Sequence, residues 1–182
     1  MEFRELPIAG CFEIIPNLFR DDRGSFVKTF HCEMFRDQGL ETEWREEFYS
    51  ISRKGVLRGM HFQTPPHDHN KLVYCSAGSV LDVMVDLRRD STTFKRHTMI
   101  ELNADSAHML YIPKGFAHGF YTLSETATMM YKVSSVYAPA HDTGILWSSL
   151  DIPWPDMNPV LSLRDAGFSP FSAFDTQTFP YR

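Results

Sequence analysis

Apolar and polar positions alternate most regularly between Phe48 and Lys132, and that stretch predicts a series of short strands. In Gly78-Ser-Val-Leu-Asp-Val-Met-Val-Asp-Leu, the set Val80, Asp82, Met84 and Asp86 alternates with Leu81, Val83, Val85 and Leu87. This period of two predicts a half-buried strand. His97-Thr-Met-Ile-Glu-Leu, Ala107-His-Met-Leu-Tyr-Ile-Pro and Thr126-Ala-Thr-Met-Met-Tyr-Lys-Val predict three more. Turn-forming clusters such as Arg89-Asp-Ser-Thr and Asn103-Ala-Asp-Ser separate them. Strands this short and this close together predict an all-β antiparallel sandwich or barrel.

Helix is weakly signalled. Glu33-Met-Phe-Arg-Asp-Gln-Gly predicts one short helix closed by Gly39. Pro153, Pro155, Pro159 and Pro170 interrupt the last thirty residues, which predict an irregular C-terminal arm with a few helical turns. No repeat, low-complexity tract or charge block divides the chain. Its 182 residues suit one domain spanning 1–182, with 166–182 as the arm.

Composition narrows the partners. Aromatic residues reach 14%, which suits a β-rich core or a pocket that stacks planar rings. A net charge of −5 and a pI near 5.9 argue against a nucleic-acid partner. No apolar run approaches the ~20 residues of a membrane span, and the N-terminus does not read as a signal peptide. Cys11, Cys32 and Cys75 lack any C-x-x-C spacing and fit reduced, structural thiols, which points to the cytoplasm.

The densest polar stretch runs from Gly55 to Val73 and carries Arg58, His61, His67, His69 and Lys71. If it is a regular strand, Arg58, Met60 and Phe62 share one face, with Gly59 and His61 on the other. A solvated surface strand would account for these residues without any chemistry. A metal site is the second reading: His67-Asp-His69 with the later His118 resembles the paired histidine motifs of metal-binding cupins. Those motifs continue to a Glu ligand, whereas here Asn70-Lys-Leu-Val follows, and the Lys71 cation would weaken metal affinity. A non-catalytic sugar-binding jelly roll is a further alternative.

A third reading rests on a collinear series. Val56-Leu-Arg-Gly-Met-His-Phe-Gln, Asn70-Lys-Leu-Val and Val80-Leu-Asp-Val-Met-Val-Asp-Leu-Arg come first. Tyr111-Ile-Pro-Lys-Gly-Phe-Ala-His-Gly-Phe, Met130-Tyr-Lys, Tyr137-Ala-Pro, Gly144-Ile-Leu-Trp and Leu161-Ser-Leu-Arg-Asp follow. Together with Phe19-Arg-Asp-Asp-Arg-Gly-Ser-Phe near the start, they resemble the dTDP-4-dehydrorhamnose 3,5-epimerase family from about residue 14 to 165. The resemblance implies an antiparallel double-stranded β-helix, a cupin-type jelly roll, that works as a homodimer without metal or other cofactor. In such a dimer the N-terminal segment could add to the partner's sheet and cover an edge strand.

The implied substrate is a nucleotide-linked 4-keto-6-deoxyhexose, whose C4 carbonyl acidifies the hydrogens on C3 and C5. By the same resemblance His61 is the base and Asp165 the carboxylate that orients it. Tyr131 returns a proton from the opposite face, and Lys71 lies near the C4 oxygen. Arg23 and Arg58 hold the diphosphate, Tyr137 stacks on the nucleobase, and His118 lines the substrate pocket. Phe19 packs near the base or belongs to the core. Three positions depart from the family pattern: Lys28 replaces a Glu, Glu46-Glu47-Phe48 replaces Gln-x-Asn, and Tyr74 replaces an Arg. These departures leave the nucleotide open between thymidine and another such as cytidine, and leave open whether C3, C5 or both invert.

Overall fold

Two antiparallel sheets face one another in a computed structural model that describes residues 1–181. The first contains β1 (Glu2–Glu5), β2 (Phe12–Ile15), β5 (Glu46–Arg53), β7 (Lys71–Ala77), β10 (Met109–Ile112) and β12 (Thr126–Val133). Its spatial order is β1-β2-β10-β7-β12-β5. The second contains β6 (Leu57–Gln63), β8 (Ser79–Asp86), β9 (His97–Asn103), β11 (Phe116–Thr122) and β13 (Asp142–Gly144), ordered β13-β6-β11-β8-β9. A separate hairpin pairs β3 (Leu18–Asp21) with β4 (Gly24–Val27). The result is the antiparallel jelly roll that the strand pattern predicts. The one predicted short helix is α1 (Cys32–Asp37), and Gly39 behind it takes a left-handed φ of 70°.

Three apolar layers hold these elements. Val73, Cys75, Met84, Leu110, Phe120 and Met129 fill the space between the sheets. Phe35 of α1 packs on the outer face of the six-stranded sheet with Ile14, Leu72, Met109 and Tyr111. The C-terminal arm, which runs over 145–181 and so is longer than the 166–182 expected, covers the outer face of the other sheet, where Trp147, Ile152, Trp154 and Phe179 meet Val83, Val85 and Leu87. β8 is therefore buried on both faces, not half-buried as its alternation predicts. The arm is what hides the second face. The N-terminal strand β1 pairs with β2 of its own chain.

The register of β6 also departs from simple alternation. His118↔His61 and Phe120↔Arg58 are paired across the β11–β6 ladder, so three residue steps on β6 oppose two on β11. This is a β-bulge, and it turns one side chain to the other face. Leu57, Met60 and Phe62 consequently pack outward under the arm. Arg58 joins His61 on the inner side, at the same cavity. The grouping of Arg58 with Met60 and Phe62 is thus overturned.

Close backbone approach explains the glycines at this bulge. A Cβ on Gly119 would lie 2.7 Å from Met60 Sδ, 2.8 Å from the Arg58 carbonyl and 2.9 Å from Gly59 Cα. Two of those three contacts are backbone and cannot swing aside. Gly119→Ala is therefore expected to lower stability by about 1–3 kcal/mol, the range of core overpacking. Thermal unfolding of the variant against the parent checks this, and an unchanged midpoint would show that the bulge has slack.

Candidate active site

At one end of the sandwich the sheets enclose a cavity of about 300 Å³. The five-stranded sheet contributes Arg58, His61 and Gln63 from β6, His118 and Phe120 from β11, and Asp142 from β13. The six-stranded sheet contributes Glu46, Phe48 and Ser50 from β5, Lys71 from β7, and Tyr131 and Val133 from β12. Phe62 of β6, His69, Tyr137 and Arg164 complete the lining. His61 and Tyr131 thus enter one cavity from opposing sheets.

His61 is held by the C-terminal arm. Its Nε2 lies 2.9 Å from Asp165 Oδ1, and Asp165 Oδ2 accepts the Gly59 N–H at 3.2 Å. Asp165 sits in α2 (Leu163–Ala166), where its own N–H donates to the Ser162 hydroxyl at 3.0 Å. Burial pushes the Asp165 carboxyl up, but the His61 and Gly59 hydrogen bonds prevail and hold it below the ordinary value. An ionised Asp165 fixes the proton on Nε2 and leaves Nδ1 to act as a base.

A second histidine–carboxylate pair lies alongside. His118 Nε2 is 2.8 Å and 3.0 Å from the two Asp82 oxygens, and both residues are buried. Burial lowers the His118 pKa against the pull of Asp82, so the ring stays neutral at physiological pH. Asp82 was read from the sequence only as a strand position. Its signal was there: a carboxylate between Val80 and Met84 on a core-facing row needs a buried partner.

Tyr131 is 9% exposed, and burial holds its phenol well above the ordinary value. It is therefore a protonated donor throughout the working pH range. Its hydroxyl meets Ser50 Oγ at 3.4 Å. Lys71 Nζ reaches the His61 carbonyl at 3.4 Å, and burial pushes the ammonium down to about 8. Arg58 crosses to the other sheet, its Nε donating to Ser52 Oγ at 2.9 Å. Arg164 pairs with Asp142 at 2.7 Å. Ser50 and Asp142 carry no motif that would have singled them out, and Arg164 stands in the Leu161-Ser-Leu-Arg-Asp block without having been given a role.

Not every candidate gathers here. Arg23 pairs with Asp21 on the β3–β4 hairpin and is almost fully exposed. Phe19 is 61% exposed on the same hairpin and touches Phe26. Arg20 donates to the Asp105 carbonyl at 2.6 Å, tying the hairpin to the β9–β10 turn, and no hairpin residue lines this cavity. Phe19 is therefore neither core nor beside Tyr137 within one chain. Lys28 is exposed just beyond β4, and Tyr74 packs on the outer face with the α1 cluster. Of the departing positions, Glu46 and Phe48 line the cavity.

The alternative metal ligands diverge. The His67 ring lies against His141, His69 Nδ1 meets Gln63 and Ser135 at 3.3 Å, and His118 belongs to Asp82. Burial pushes His69 down to about 3. Among the described residues no group of three or more His, Cys, Asp or Glu side chains is arranged to hold an ion.

An oriented imidazole and a protonated phenol entering one cavity from opposite sheets, with an ammonium nearby, define a proton-transfer enzyme on a jelly-roll frame. The family model described as dTDP-4-dehydrorhamnose 3,5-epimerase matches residues 5–173, and the chain belongs to that family. A dTDP-4-dehydrorhamnose 3,5-epimerase of Shigella flexneri is 43% identical over 164 residues, covering 88% of this chain and 90% of that one. The dTDP-6-deoxy-D-glucose-3,5-epimerase of Legionella pneumophila, solved in complex with dTDP-4-keto-L-rhamnose, has a TM-score of 0.94. It is 34% identical, with 100% of this chain and 98% of that chain covered. A 3'-monoepimerase of Streptomyces bikiniensis, solved with dTDP-quinovose, has a TM-score of 0.86 at 32% identity, covering 95% and 87%.

The lowered pKa of Lys71 gives the site a pH signature. Its ammonium is the form that can meet negative charge, and that form is lost as pH rises through about 8. The free enzyme's kcat/KM is expected to fall above that pH. Lys71→Arg should abolish this alkaline fall while lowering the rate, because a guanidinium stays charged. A pH profile of both proteins is the check, and an identical alkaline limb in both would remove Lys71 from the reaction.

Proposed function

We propose that the chain is a cofactor-independent 3,5-epimerase of a nucleotide-diphosphate 4-keto-6-deoxyhexose, converting dTDP-4-dehydro-6-deoxy-D-glucose to dTDP-4-dehydro-L-rhamnose. The observation that carries this reading is the approach of His61 and Tyr131 from opposing sheets. His61 Nδ1 takes the proton from the carbon beside the ketone, and the C–H electron pair moves into an enolate with its charge on O4. Lys71 stabilises that oxygen, a contribution of roughly 3–4 kcal/mol by analogy with a lost oxyanion donor. Tyr131 then returns a proton to the opposite face, the carbonyl re-forms, and the centre is inverted. Asp165 keeps the imidazole in its basic tautomer.

Arg58 holds the diphosphate, with Tyr137, 59% exposed at the cavity, as a shelf for the nucleobase. His118 contacts the sugar from the neutral state that its burial imposes. The nucleotide in the relatives' names supports thymidine diphosphate. Three free cysteines, two of them buried, suit the reducing cytoplasm. No helix among the described residues is long and apolar enough to cross a membrane.

The working unit in this reading is a homodimer. Phe19 and Phe26 on the hairpin are each more than 60% exposed, as are Tyr49 and Ile51 on the edge strand β5 beside the cavity. Covering both surfaces with a second copy would carry Arg23 and Phe19 to a neighbour's nucleotide. Loss of the dimer would then cost substrate affinity as well as stability.

Incubation with dTDP- and CDP-4-keto-6-deoxyglucose in D₂O, with deuterium read at C3 and C5 by NMR, tests the chemistry. His61→Ala is expected to abolish exchange at both carbons, whereas Tyr131→Phe should impair net inversion more than exchange. Equal loss of both in the tyrosine variant would defeat the two-face assignment. For the dimer, Arg23→Ala mixed with His61→Ala should regain activity that neither has alone, through the mixed dimer whose one cavity is intact. A monomer at micromolar concentration in sedimentation, or no regain on mixing, would reject it.

A further inference from the structure

Tyr131 has a neighbour that neither the motif series nor the proton-transfer scheme assigns. Its hydroxyl stands 3.4 Å from Ser50 Oγ, longer than a hydrogen bond that would fix the phenol by itself. The ring is held instead by Phe48. The β12–β5 register sets Tyr131 directly opposite Phe48. Their rings lie face to face with centroids 4.9 Å apart and planes 16° apart. The His118 ring meets the same phenol near edge-on at 6.3 Å.

Phe48 is an odd residue for its place. It lines a cavity rich in charged and polar groups and stays 47% exposed, so nearly half of an apolar ring is left open to water. An amide at this place could hydrogen-bond a sugar or phosphate. A phenyl ring has no such bond to offer, and its chief ring contact is Tyr131.

We propose that Phe48 is a positioning residue for proton delivery, stacking on Tyr131 so that the phenol faces the substrate carbon opposite His61. This rests on the assignment of Tyr131 as proton donor. In that step the enolate C=C pair forms the new C–H bond as the phenol O–H breaks, and the phenolate regains its proton from water. Approach geometry decides the rate, since a misplacement of about 1 Å can cost ~10²-fold. Exchange of substrate hydrogen needs only His61. Inversion needs the phenol in register. A loosened ring therefore shifts the outcome from inversion towards exchange with retention.

Phe48→Ala, Phe48→Asn and Phe48→Tyr would be compared with the parent in D₂O, on dTDP-4-keto-6-deoxyglucose. Inverted product and deuterium at C3 and C5 are followed from initial rates. The Ala and Asn variants are expected to lower the inversion-to-exchange ratio about ten-fold, with KM within about three-fold of the parent and the Tyr variant near the parent. A raised KM with an unchanged ratio would overturn the proposal and make Phe48 a substrate contact. Equal impairment of the Tyr and Ala variants would overturn it too. If the parent exchanges hydrogen at neither carbon, the epimerase reading fails by itself. The stack is then read without substrate, by ultraviolet titration of Tyr131 against a Tyr131→Phe blank. Phe48→Ala should lower that phenol's pKa, and an unmoved titration would overturn the contact.

Discussion

The hydrogen bond between His61 and Asp165 joins residues 104 positions apart and closes the C-terminal arm onto the bulged strand β6. One carboxylate does two things there. Oδ1 takes the imidazole, and Oδ2 takes the N–H of Gly59, the residue at the bulge. A buried carboxylate without such donors would be strongly disfavoured, and a buried N–H without an acceptor would cost about 1–3 kcal/mol. The bulge turns Arg58 and His61 to the same side, and Asp165 satisfies the backbone donor that the bulge leaves over. Arm, bulge and base are therefore mutually dependent. The arm earns its place at the site as well as over the apolar face of β8.

The cavity also balances charge in a way that suits an anionic intermediate. Lys71, Arg58 and Arg164 bring positive charge to its walls, and Asp142 already neutralises Arg164. Burial keeps His118 and His69 neutral, so they add hydrogen bonds without adding charge. Burial also keeps the Tyr131 phenol protonated, while Lys71 titrates near 8 and remains mostly charged at neutral pH. The acid and the oxyanion partner thus both keep their protons at neutral pH within one cavity. Separate environments set each of them.

Much of this architecture was legible in the chain. Strands β8, β9, β10 and β12 follow from alternation, because a sheet with a core face imposes a period of two. The short helix follows from Gly39. The bulge was not legible: alternation cannot register one inserted residue, and the only local hint is Gly59 opposite Gly119. The second burial layer over β8 was hidden because the arm that covers it has no periodicity. His61, Asp165, Lys71 and Tyr131 converge as the motif series implies, yet Asp165 in Ser-Leu-Arg-Asp offers no local sign of burial. Arg23 and Phe19 went the other way. They sit in a recognisable motif yet on a hairpin outside the cavity, because local sequence does not fix where a separate hairpin lies relative to the two sheets.

That contrast indicates where such a site is free to vary. His61 sits on β6 between β13 and β11, with Asp165 clipped to it from the arm, so small changes there disturb the bulge and the base together. Tyr131 sits on β12 between β7 and the edge strand β5. An edge strand has a neighbour on one side only, and its inward side chains reach the cavity without having to satisfy a second ladder. Glu46 and Phe48, the departures that reach the cavity, both lie on β5. A 3,5-epimerase and a 3'-monoepimerase both share this fold with the chain. In the proposed scheme abstraction depends on β6 and proton return on what β5 places against the phenol, so the two steps rest on different strands.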